Sequence, residues 1–495
     1  MSPTPFTRGR ATDMAPVPVR TRSVRVSLAI VVGVWIIRRL VGVMITIART
    51  PLLLAATVVI IGLAVLWSRF GLLPSSLASL LIIGALVGWW LRSPATFTRT
   101  VGDRARSLGR WLWTYRRYWQ PAMVTANLAQ HRDGSEQLPE LLGVASTRSV
   151  DRVRVRLLPG QTLDDWAEMA HRLAQTFAID SCRVHSTTDV QVIEIWALRR
   201  DPLTDTVAPV ETAGMDLGGL EVGRAEDGEP FRLGLLGHHV LVVGATGSGK
   251  GSVIWSTLTQ LAPGLVDDSV RLWVIDPKGG MELAPGQALF DRFAHGASTI
   301  DADGVGLWEE SFAELLEDAV AVMRDRQDRL RGRTRLHRPT PGDPLLVIII
   351  DELASLTAYV SDRGVRKRID AALSLLLSQG RAAGVSMVAA VQDPRKDTIP
   401  VRDLFPTRIC LRVTEPEHVT LTLGAGMRAK GAHAERIRHD LPGVGFVQVD
   451  GLPEPTRVRF AHITDDDISH LVTKITNRAS AAGGQRLQAI ESAAA

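Results

Sequence analysis

Residues 241–252 read LVVGATGSGKGS, an apolar run that passes into a glycine-rich loop and ends in a lysine. The spacing G-x-x-x-x-G-K is typical of loops whose backbone N–H groups and lysine surround the phosphates of ATP. A tight turn between a strand and a helix would explain the glycines but not the lysine. We therefore predict that the loop binds nucleotide through Gly244, Ala245, Thr246, Gly247, Ser248, Gly249, Lys250, Gly251 and Ser252, with Lys250 also acting in catalysis.

One position departs from this pattern. Gly251 stands where the motif has a Ser or Thr that binds Mg²⁺, and Ser252 follows one place later. Because a shift of one residue turns a helical side chain by about 100°, Ser252 does not simply replace the missing hydroxyl. Either the loop is re-registered so that Ser252 becomes a ligand, or the metal relies on phosphate, water and an acidic partner. We expect ATP hydrolysis with a weakened affinity for Mg²⁺.

An acidic partner follows an apolar run. Residues 345–352 read LLVIIIDE, which predicts a strand buried on both faces that ends in two carboxylates. Ligands of open α/β sheets lie at this end of the strands, so we assign Asp351 to the Mg²⁺ shell and Glu352 to activation of the attacking water. Another predicted strand, Val385–Val391, ends at Gln392. This glutamine is either a sensor of the γ-phosphate or an ordinary loop residue.

The positive charge of the chain is concentrated near its start. The 495 residues carry a net charge of +5, yet residues 1–120 hold 16 arginines against two aspartates, so the rest of the chain is net acidic. The high isoelectric point is therefore no evidence for DNA binding. Cys182 and Cys410 are far apart and lack metal-site spacing, which indicates a reducing compartment.

The N-terminal region has the pattern of a membrane anchor. Thr50–Ser68 and Phe70–Leu91 are uncharged and long enough to cross a bilayer, which predicts a transmembrane hairpin over residues 50–92 with a turn over 68–74. The arginines on both sides place both termini in the cytoplasm. Residues 26–48 are apolar but contain Arg38 and Arg39, so we interpret residues 1–49 as a basic tail with an amphipathic helix on the membrane surface.

The remaining chain divides into four parts. We predict a juxtamembrane segment and polar linker over 93–145, in which the aromatic and basic residues 110–119 suit a membrane interface. Alternating strands around a helical segment predict a β-α-β subdomain over 146–235. Buried strands that alternate with helices over 236–460 predict a doubly wound parallel α/β sheet. Residues 461–495 form a short C-terminal tail.

Five segments in this order resemble the motor of the FtsK/SpoIIIE family, a RecA-like P-loop ATPase that moves double-stranded DNA. They are GATGSGKGS, IDPKGGMEL (275–283), VIIIDELA (347–354), QGRAAGVSMVAAVQ (379–392) and PTRICLRV (406–413). The resemblance covers residues 150–460, and the β-α-β unit looks like the N-terminal motor subdomain of that family. The GKGS form of the loop, together with a short membrane anchor, is similar to the Tra plasmid-transfer proteins of actinomycetes.

The resemblance implies a homo-hexameric ring with ATP sites between subunits and DNA in the central channel. An arginine of the neighbouring subunit then completes each site, and Arg381 and Arg408 are both candidates. Loops at 365–368 and 394–397 would line the channel and neutralise phosphates without reading bases. The cations concerned are Lys367, Arg368, Arg395 and Lys396.

We therefore predict a multi-pass protein of the cell membrane that moves double-stranded DNA in conjugative plasmid or integrative-element transfer. The C-terminal tail shows no helix-turn-helix pattern, which implies non-specific loading or a separate DNA-loading protein. A type VII secretion ATPase is one alternative, although such chains usually hold several ATPase modules and this sequence has one phosphate loop. A chromosome-partition translocase and a nucleotide-gated membrane scaffold without motor activity are the others.

Overall fold

The computed structural model describes residues 51–132, 135–210, 214–296 and 308–478. The chain divides into two compact units, Met1–Ala105 and Arg106–Ala495. The predicted basic tail over 1–49, with its amphipathic helix over 26–48, lies outside the described residues.

The described part of the first unit is helical. Helices α1 (Pro51–Phe70) and α2 (Leu72–Arg92) pack against each other, followed by α3 (Pro94–Phe97) and a π-helical turn, Thr98–Gly102. Gly71 alone separates α1 from α2, so the turn is shorter than the predicted 68–74, and its φ of +83° suits a residue without Cβ. By length and composition, Leu53–Phe70 and Leu72–Arg92 are apolar enough to cross a membrane, close to the predicted spans.

A helix that spans the boundary between the units is followed, in the second unit, by further helical segments and a small antiparallel sheet. A four-stranded sheet has the order β3-β4-β6-β5, and a two-stranded hairpin joins β1 to β2. A capping box at Thr162 begins α6. These elements are α4 (Asp103–Arg110), a π-helical turn (Trp111–Tyr115), α5 (Arg116–Thr125), β1 (Gln130–Arg132), β2 (Ser135–Gln137), β3 (Glu140–Ser146), β4 (Val150–Arg156), α6 (Leu163–Glu168), α7 (Ala170–Thr176), β5 (Ser181–Ser186) and β6 (Val192–Leu198).

The polar linker predicted within residues 93–145 is wrong. Tyr115 and Trp119 are 1% and 7% exposed, and they pack with Phe177 in the core beneath the small sheet. Residues 140–146 form an edge strand of that sheet. The aromatic residues within 110–119 therefore lie in two environments. Trp113 is exposed, whereas Tyr115 and Trp119 are core residues, which the membrane-interface interpretation does not explain.

The larger sheet has ten strands in the order β11-β10-β12-β13-β9-β14-β15-β16-β7-β8. The strands from β11 to β14 run parallel, and the four that follow are antiparallel. The strands are β7 (Leu220–Ala225), β8 (Pro230–Leu233), β9 (Val240–Val243), β10 (Val270–Asp276), β11 (Arg292–His295), β12 (Leu345–Ile350), β13 (Val385–Val391), β14 (Thr407–Leu411), β15 (Val444–Val449) and β16 (Thr456–Phe460). Because β7 and β8 join this sheet, the predicted subdomain boundary at 235 is too late.

Helices cover both faces of the parallel strands, which confirms the predicted doubly wound α/β fold. Alternate residues of β9 enter opposite cores: Leu241 and Val243 face α9 and α11, whereas Val240 and Val242 face α8. Every residue of β12 and β13 is buried. The helices are α8 (Lys250–Val266), α9 (Trp308–Leu330), α10 (Ala354–Thr357), α11 (Arg363–Gln379) and α12 (Pro416–Leu423), with 3₁₀ turns at Ala284–Leu289, Arg402–Leu404 and Ala434–Arg436.

The beginning of the predicted C-terminal tail is structured. Residues 465–478 form a helix, α13, whose Ile468 and Ile475 are buried in the same core as α8. The tail interpretation for 461–478 is therefore wrong, and 479–495 lie outside the described residues.

Charged residues join the small sheet to the large one. Glu454, in the turn between β15 and β16, pairs with His185 and accepts a hydrogen bond from the backbone N of Ser186, 2.9 Å from its Oε1. Arg183 pairs with buried Glu226 and donates to the Pro455 carbonyl at 2.9 Å. Strand β5 is thus held against the β15–β16 hairpin.

Candidate active site

The glycine-rich loop connects β9 to α8, as predicted. Gly247 and Gly249 have φ of +71° and +95°, and a Cβ on Gly249 would lie 2.2 Å from the backbone N of Gly443. Lys250 folds back over the loop, with Nζ 2.8 Å from the carbonyl oxygen of Gly244. Burial lowers the pKa of Lys250, and the nearby carboxylates, Glu352 foremost, oppose that shift. The loop therefore has the strained backbone and the enclosed cation that a phosphate site requires.

Strands β14 and β15 support the loop from the side. Arg412, which follows β14 and is buried, donates to the carbonyl oxygen of Thr246 at 2.9 Å. Gly443, which precedes β15, donates its N–H to the carbonyl oxygen of Ser248 at 2.8 Å. The loop conformation is therefore fixed by neighbours that lie far away in sequence.

Asp351 and Glu352 follow β12, and both are buried. Lys278, in the loop after β10, donates to Asp351, with Nζ 2.6 Å from Oδ2. Burial lowers the pKa of Lys278, but the hydrogen bond to Asp351 and the surrounding carboxylates outweigh it, so the net shift is upward. The lysine remains a cation, and it pairs with the carboxylate that we assign to the metal.

Glu352 is placed to act as a base. It is 6% exposed, and its two carboxylate oxygens are buried without a hydrogen bond of ordinary geometry. Burial raises its pKa, while Lys278, Lys250 and the Gln392 amide oppose that shift. A buried carboxylate whose hydrogen bonding is incomplete is poised to accept a proton from a water molecule.

Gln392 lies at the site, as its position after β13 predicted. Its Oε1 accepts a hydrogen bond from the Thr246 hydroxyl at 3.0 Å, which links the end of β13 to the phosphate loop. Strand β13 lies between β9 and β12, so the glutamine stands between the loop and Glu352. This arrangement favours the interpretation of Gln392 as a γ-phosphate sensor.

The loop after β10 is arranged around Asp276. Its carboxylate accepts hydrogen bonds from the backbone N–H groups of Lys278, Glu282 and Leu283, at 3.1 to 3.2 Å. This arrangement brings Glu282 to Gly251, where a Cβ would lie 3.8 Å from its Oε2.

The residues present fit a hydrated Mg²⁺ ion beside a triphosphate. Asp351 and Glu282 carry carboxylate oxygens, the kind of ligand that this ion prefers, and phosphate and water oxygens would complete its shell. Ser252 lies against Gly443, since a Cβ there would be 3.7 Å from the serine Oγ. Its part as a metal ligand stays a prediction.

The two candidate arginines lie away from the loop of their own chain. Arg381 is exposed, and its Nε donates to the carbonyl oxygen of Gly237 at 2.8 Å, at the amino ends of β9 and β13. Arg408 lies within β14, opposite Leu241 and Gln448, and its Nε is buried. Of the two, Arg381 is the more accessible to another subunit.

The predicted channel loop at 365–368 is wrong, because these residues belong to the first turns of α11. Arg368 pairs there with Glu310 and Glu317 of α9, and those hydrogen bonds raise its pKa. The guanidinium of Arg368 is therefore already paired with carboxylates of its own chain. Lys367 is exposed and has no ion pair among the described residues.

The segment at 394–397 is a loop, as predicted. Arg395 pairs with Asp393 at 3.4 Å and with Glu415 at 3.3 Å. Lys396 is exposed, and within the described chain no carboxylate pairs with it. Of the four predicted DNA contacts, Lys367 and Lys396 are therefore the available cations.

Three residues of this site were not predicted from the sequence: Lys278, Glu282 and Arg412. A signal existed for Lys278, because DPKGG follows a buried strand and parallel strands end at one edge of a sheet. Glu282 depends on the loop around Asp276, and Arg412 depends on the pairing of β14 with β9, so neither follows from local sequence.

Residues 216–338, which include the phosphate loop, Lys278 and Glu282, match the FtsK/SpoIIIE family model. DNA translocase FtsK of Staphylococcus aureus strain Mu50 is 27% identical over 283 residues, covering 53% of this chain and 33% of that protein. DNA translocase FtsK of Mycobacterium tuberculosis strain H37Rv is 26% identical over 359 residues, covering 67% of this chain and 41% of that protein. The chain therefore spans between a third and two fifths of the length of these relatives.

Two solved structures resemble the chain more loosely. The pCW3 conjugation coupling protein TcpA, a monomer form with ATPγS, has a TM-score of 0.44 at 18% identity, covering 73% of this chain and 98% of that one. The cytoplasmic domain of the type VII secretion ATPase EccC of Thermomonospora curvata has a TM-score of 0.41 at 20% identity, covering 56% and 33%.

Proposed function

The chain belongs to the FtsK/SpoIIIE family of ATPases, and on that premise we propose that it is a membrane-anchored homo-hexameric motor that moves double-stranded DNA. One observation carries the ATPase part of this proposal. The phosphate loop, Lys278, Asp351, Glu352 and Gln392 meet at the carboxyl edge of four neighbouring parallel strands, β9, β13, β12 and β10.

Each residue has a role that follows from its position. Lys250 and the loop N–H groups hold the β- and γ-phosphates, and Glu352 takes a proton from the attacking water. Asp351, which pairs with Lys278, would hold the hydrated metal when nucleotide is bound. Mg²⁺ would supply charge neutralisation at the β- and γ-phosphate oxygens. Gln392 reports the state of the γ-phosphate to Thr246.

Arg381 is our preferred candidate for the arginine that acts in trans. It is exposed at the sheet edge opposite the phosphate loop of its own subunit, so it can approach a nucleotide only from a neighbouring subunit. An arginine there would stabilise the charge that develops on the transferred phosphoryl group. Arg408 is the weaker candidate because it is half-buried within β14, with its Nε out of contact with solvent, so a neighbouring subunit reaches it less easily.

The DNA contacts are electrostatic. Lys367 and Lys396 are exposed cations, and their repetition around a ring would line it with positive charge. Such contacts bind phosphates without reading sequence, so loading at a defined site would need a separate protein.

The membrane part of the proposal is supported by α1 and α2, which are long and apolar enough to span a bilayer, with arginines on both sides. Both termini would then be cytoplasmic. The short anchor and the GKGS loop support a role in conjugative plasmid or integrative-element transfer.

The experiment uses the full chain in lipid nanodiscs. Linear duplex DNA should raise its ATPase rate more than single-stranded DNA or an unfolded peptide does, and ATP should drive displacement of a third strand from a triplex. The Lys250→Ala protein is the matched control and should show neither activity. Stimulation by peptide but not by duplex would instead favour protein secretion and reject DNA as the cargo.

A genetic test addresses the biological role. A host in which the Lys250→Ala gene replaces the wild-type gene should lose transfer of the element that carries it, while replication of that element continues. Unchanged transfer frequency would contradict the conjugation proposal and leave the ATPase assignment intact.

A further inference from the structure

Glu282 lies beside Gly251, the position at which the phosphate-loop motif has a Ser or Thr. The position after the loop lysine is Gly251, and a Cβ built there meets no atom closer than 3.8 Å, the nearest being Glu282 Oε2. The space that a Ser or Thr hydroxyl would fill is therefore open on the side of the helix that faces this carboxylate.

We propose that Glu282 replaces the missing Ser or Thr at Gly251 as an oxygen ligand of Mg²⁺, directly or through one water molecule. This inference rests on the proposed ATPase function and names the residue that completes its metal site. A carboxylate oxygen is a preferred ligand of this hard cation, and the longer glutamate side chain can reach a position that a serine would occupy from the helix itself.

The loop geometry holds Glu282 in place. Its backbone N–H donates to Asp276 Oδ2 at 3.2 Å, and the N–H of Leu283 donates to the same oxygen at 3.1 Å. Asp276 ends β10, so the glutamate is positioned by a strand that is paired on both sides within the large sheet. Its main chain is thus ordered while its side chain remains exposed to the nucleotide-binding edge.

Charges in the site point to the same role. The negative charge of Glu282 contributes to raising the pKa of both Lys250 and Lys278. Glu282 therefore lies among the groups that would surround the phosphates. A second, independent observation is Glu352, whose buried carboxylate makes no hydrogen bond of ordinary geometry and which, like Glu282, lies close to Lys250 and Lys278. A hydrated cation held by Glu282 and Asp351 would supply hydrogen-bond donors to Glu352.

Ser252 does not provide the alternative. It lies against Gly443 on another side of α8, as the turn of about 100° between successive helical residues requires. The phosphate loop therefore has its ordinary register. The Ser or Thr hydroxyl of the motif is missing at position 251, and Ser252 does not supply it from the next position.

The test measures the Mg²⁺ dependence of nucleotide binding, which does not require turnover. Full-length protein in nanodiscs is titrated with Mg²⁺ while binding of a fluorescent ATPγS analogue is followed, and Mn²⁺ electron paramagnetic resonance reports the metal directly. The variants are Glu282→Gln, Gly251→Ser and the two combined. Glu314→Gln, an exposed glutamate of α9, is the matched control.

Glu282→Gln should raise the Mg²⁺ concentration at half-saturation by about tenfold or more, while binding in excess chelator stays unchanged. Adding Gly251→Ser should restore the wild-type value, because the serine hydroxyl then fills the ordinary position. Glu314→Gln should behave as wild type.

An unchanged Mg²⁺ dependence in Glu282→Gln would overturn the inference. The inference would also be overturned if Glu282→Gln raised the Mg²⁺ concentration at half-saturation and Gly251→Ser failed to lower it again. Glu282 would then act only through its charge. If the wild-type protein bound no nucleotide at any Mg²⁺ concentration, the ATPase proposal itself would fail, and these outcomes are therefore distinguishable.

Discussion

Lys278 and Asp351 form an ion pair across the ends of β10 and β12, with Nζ 2.6 Å from Oδ2. Asp351 is almost fully buried, so the lysine neutralises a carboxylate that otherwise lies away from water. The pair occupies the place where the nucleotide-bound metal is expected.

Lys278→Met should destabilise the nucleotide-free protein by about 1–3 kcal/mol, less than for a fully buried pair because the lysine is partly exposed. Saturating Mg²⁺ and ATPγS should reduce the difference in free energy of unfolding between Lys278→Met and the wild type. The metal would then neutralise Asp351 in place of the lysine. Urea unfolding with and without the ligands measures both effects. A stability difference that the ligands leave unchanged would contradict the exchange of lysine for metal.

Glu352→Gln should retain nucleotide binding and lose hydrolysis by about 100-fold or more, because the amide cannot accept the proton of the water. Equilibrium binding of ATPγS and steady-state phosphate release are the measurements, with Glu314→Gln as the control. Hydrolysis at the wild-type rate would reject Glu352 as the base.

The wild-type pH profile provides a separate check. Because burial raises the pKa of Glu352, the base is lost by protonation at pH values above the ordinary glutamate value of 4.5. The ATPase rate should therefore fall on acidification before exposed carboxylates titrate. A rate that stays constant down to pH 4.5 would contradict this assignment.

Arg381→Ala should abolish ATP hydrolysis in an assembly that contains only this variant. Mixing Arg381→Ala subunits with Glu352→Gln subunits should restore part of the activity. Glu352→Gln subunits lack the base but still carry Arg381, so they can complete the site of a neighbouring Arg381→Ala subunit. ATPase activity of mixtures at varied ratios measures this complementation. If only Arg408→Ala is complemented in this way, Arg408 is the residue that acts in trans.

Lys367→Ala and Lys396→Ala should weaken duplex DNA binding and make it less dependent on salt, each lowering the slope of log affinity against log salt by about 1. Arg368→Ala is the contrasting variant. It should lower thermal stability because it leaves Glu310 and Glu317 without their cation, and it should leave the salt slope unchanged. A reduced slope in Arg368→Ala would restore that residue as a DNA contact.

Glu454→Gln should remove a pH-dependent contribution to stability of about 1–2 kcal/mol. Burial raises the pKa of Glu454, but hydrogen bonds from His185 and Ser186 outweigh it and hold the pKa at about 2, below its ordinary 4.5. The contribution is therefore present above pH 4.5 and is lost as the pH falls towards 2. Urea unfolding over this range should show the two proteins converging in acid; a constant difference would contradict the assignment.

Local sequence was sufficient to place the phosphate loop, Asp351, Glu352 and Gln392 at the ends of strands, because each directly follows a strand that its own apolar run predicts. It was not sufficient where a contact joins distant segments. Arg368 belongs to a basic helical turn in sequence, and only the packing of α11 on α9 shows that acidic residues occupy it.

Composition also misled where one residue type serves two environments. Trp and Tyr suit both a bilayer interface and a protein core, so the aromatic residues 110–119 gave no local signal to separate them. Tyr115 became a core residue because its hydroxyl bonds to buried Asp151 at 2.9 Å. The partner is a residue of β4, which local sequence does not bring near.

The β15–β16 hairpin touches the phosphate loop at one end, through Gly443, and the small sheet at the other, through Glu454. Strand β15 is six residues long, a stiff ribbon of roughly 20 Å at the usual rise per residue. A shift of the loop on binding ATP would therefore be passed along β15 to strand β5 of the small sheet, which Glu454 holds.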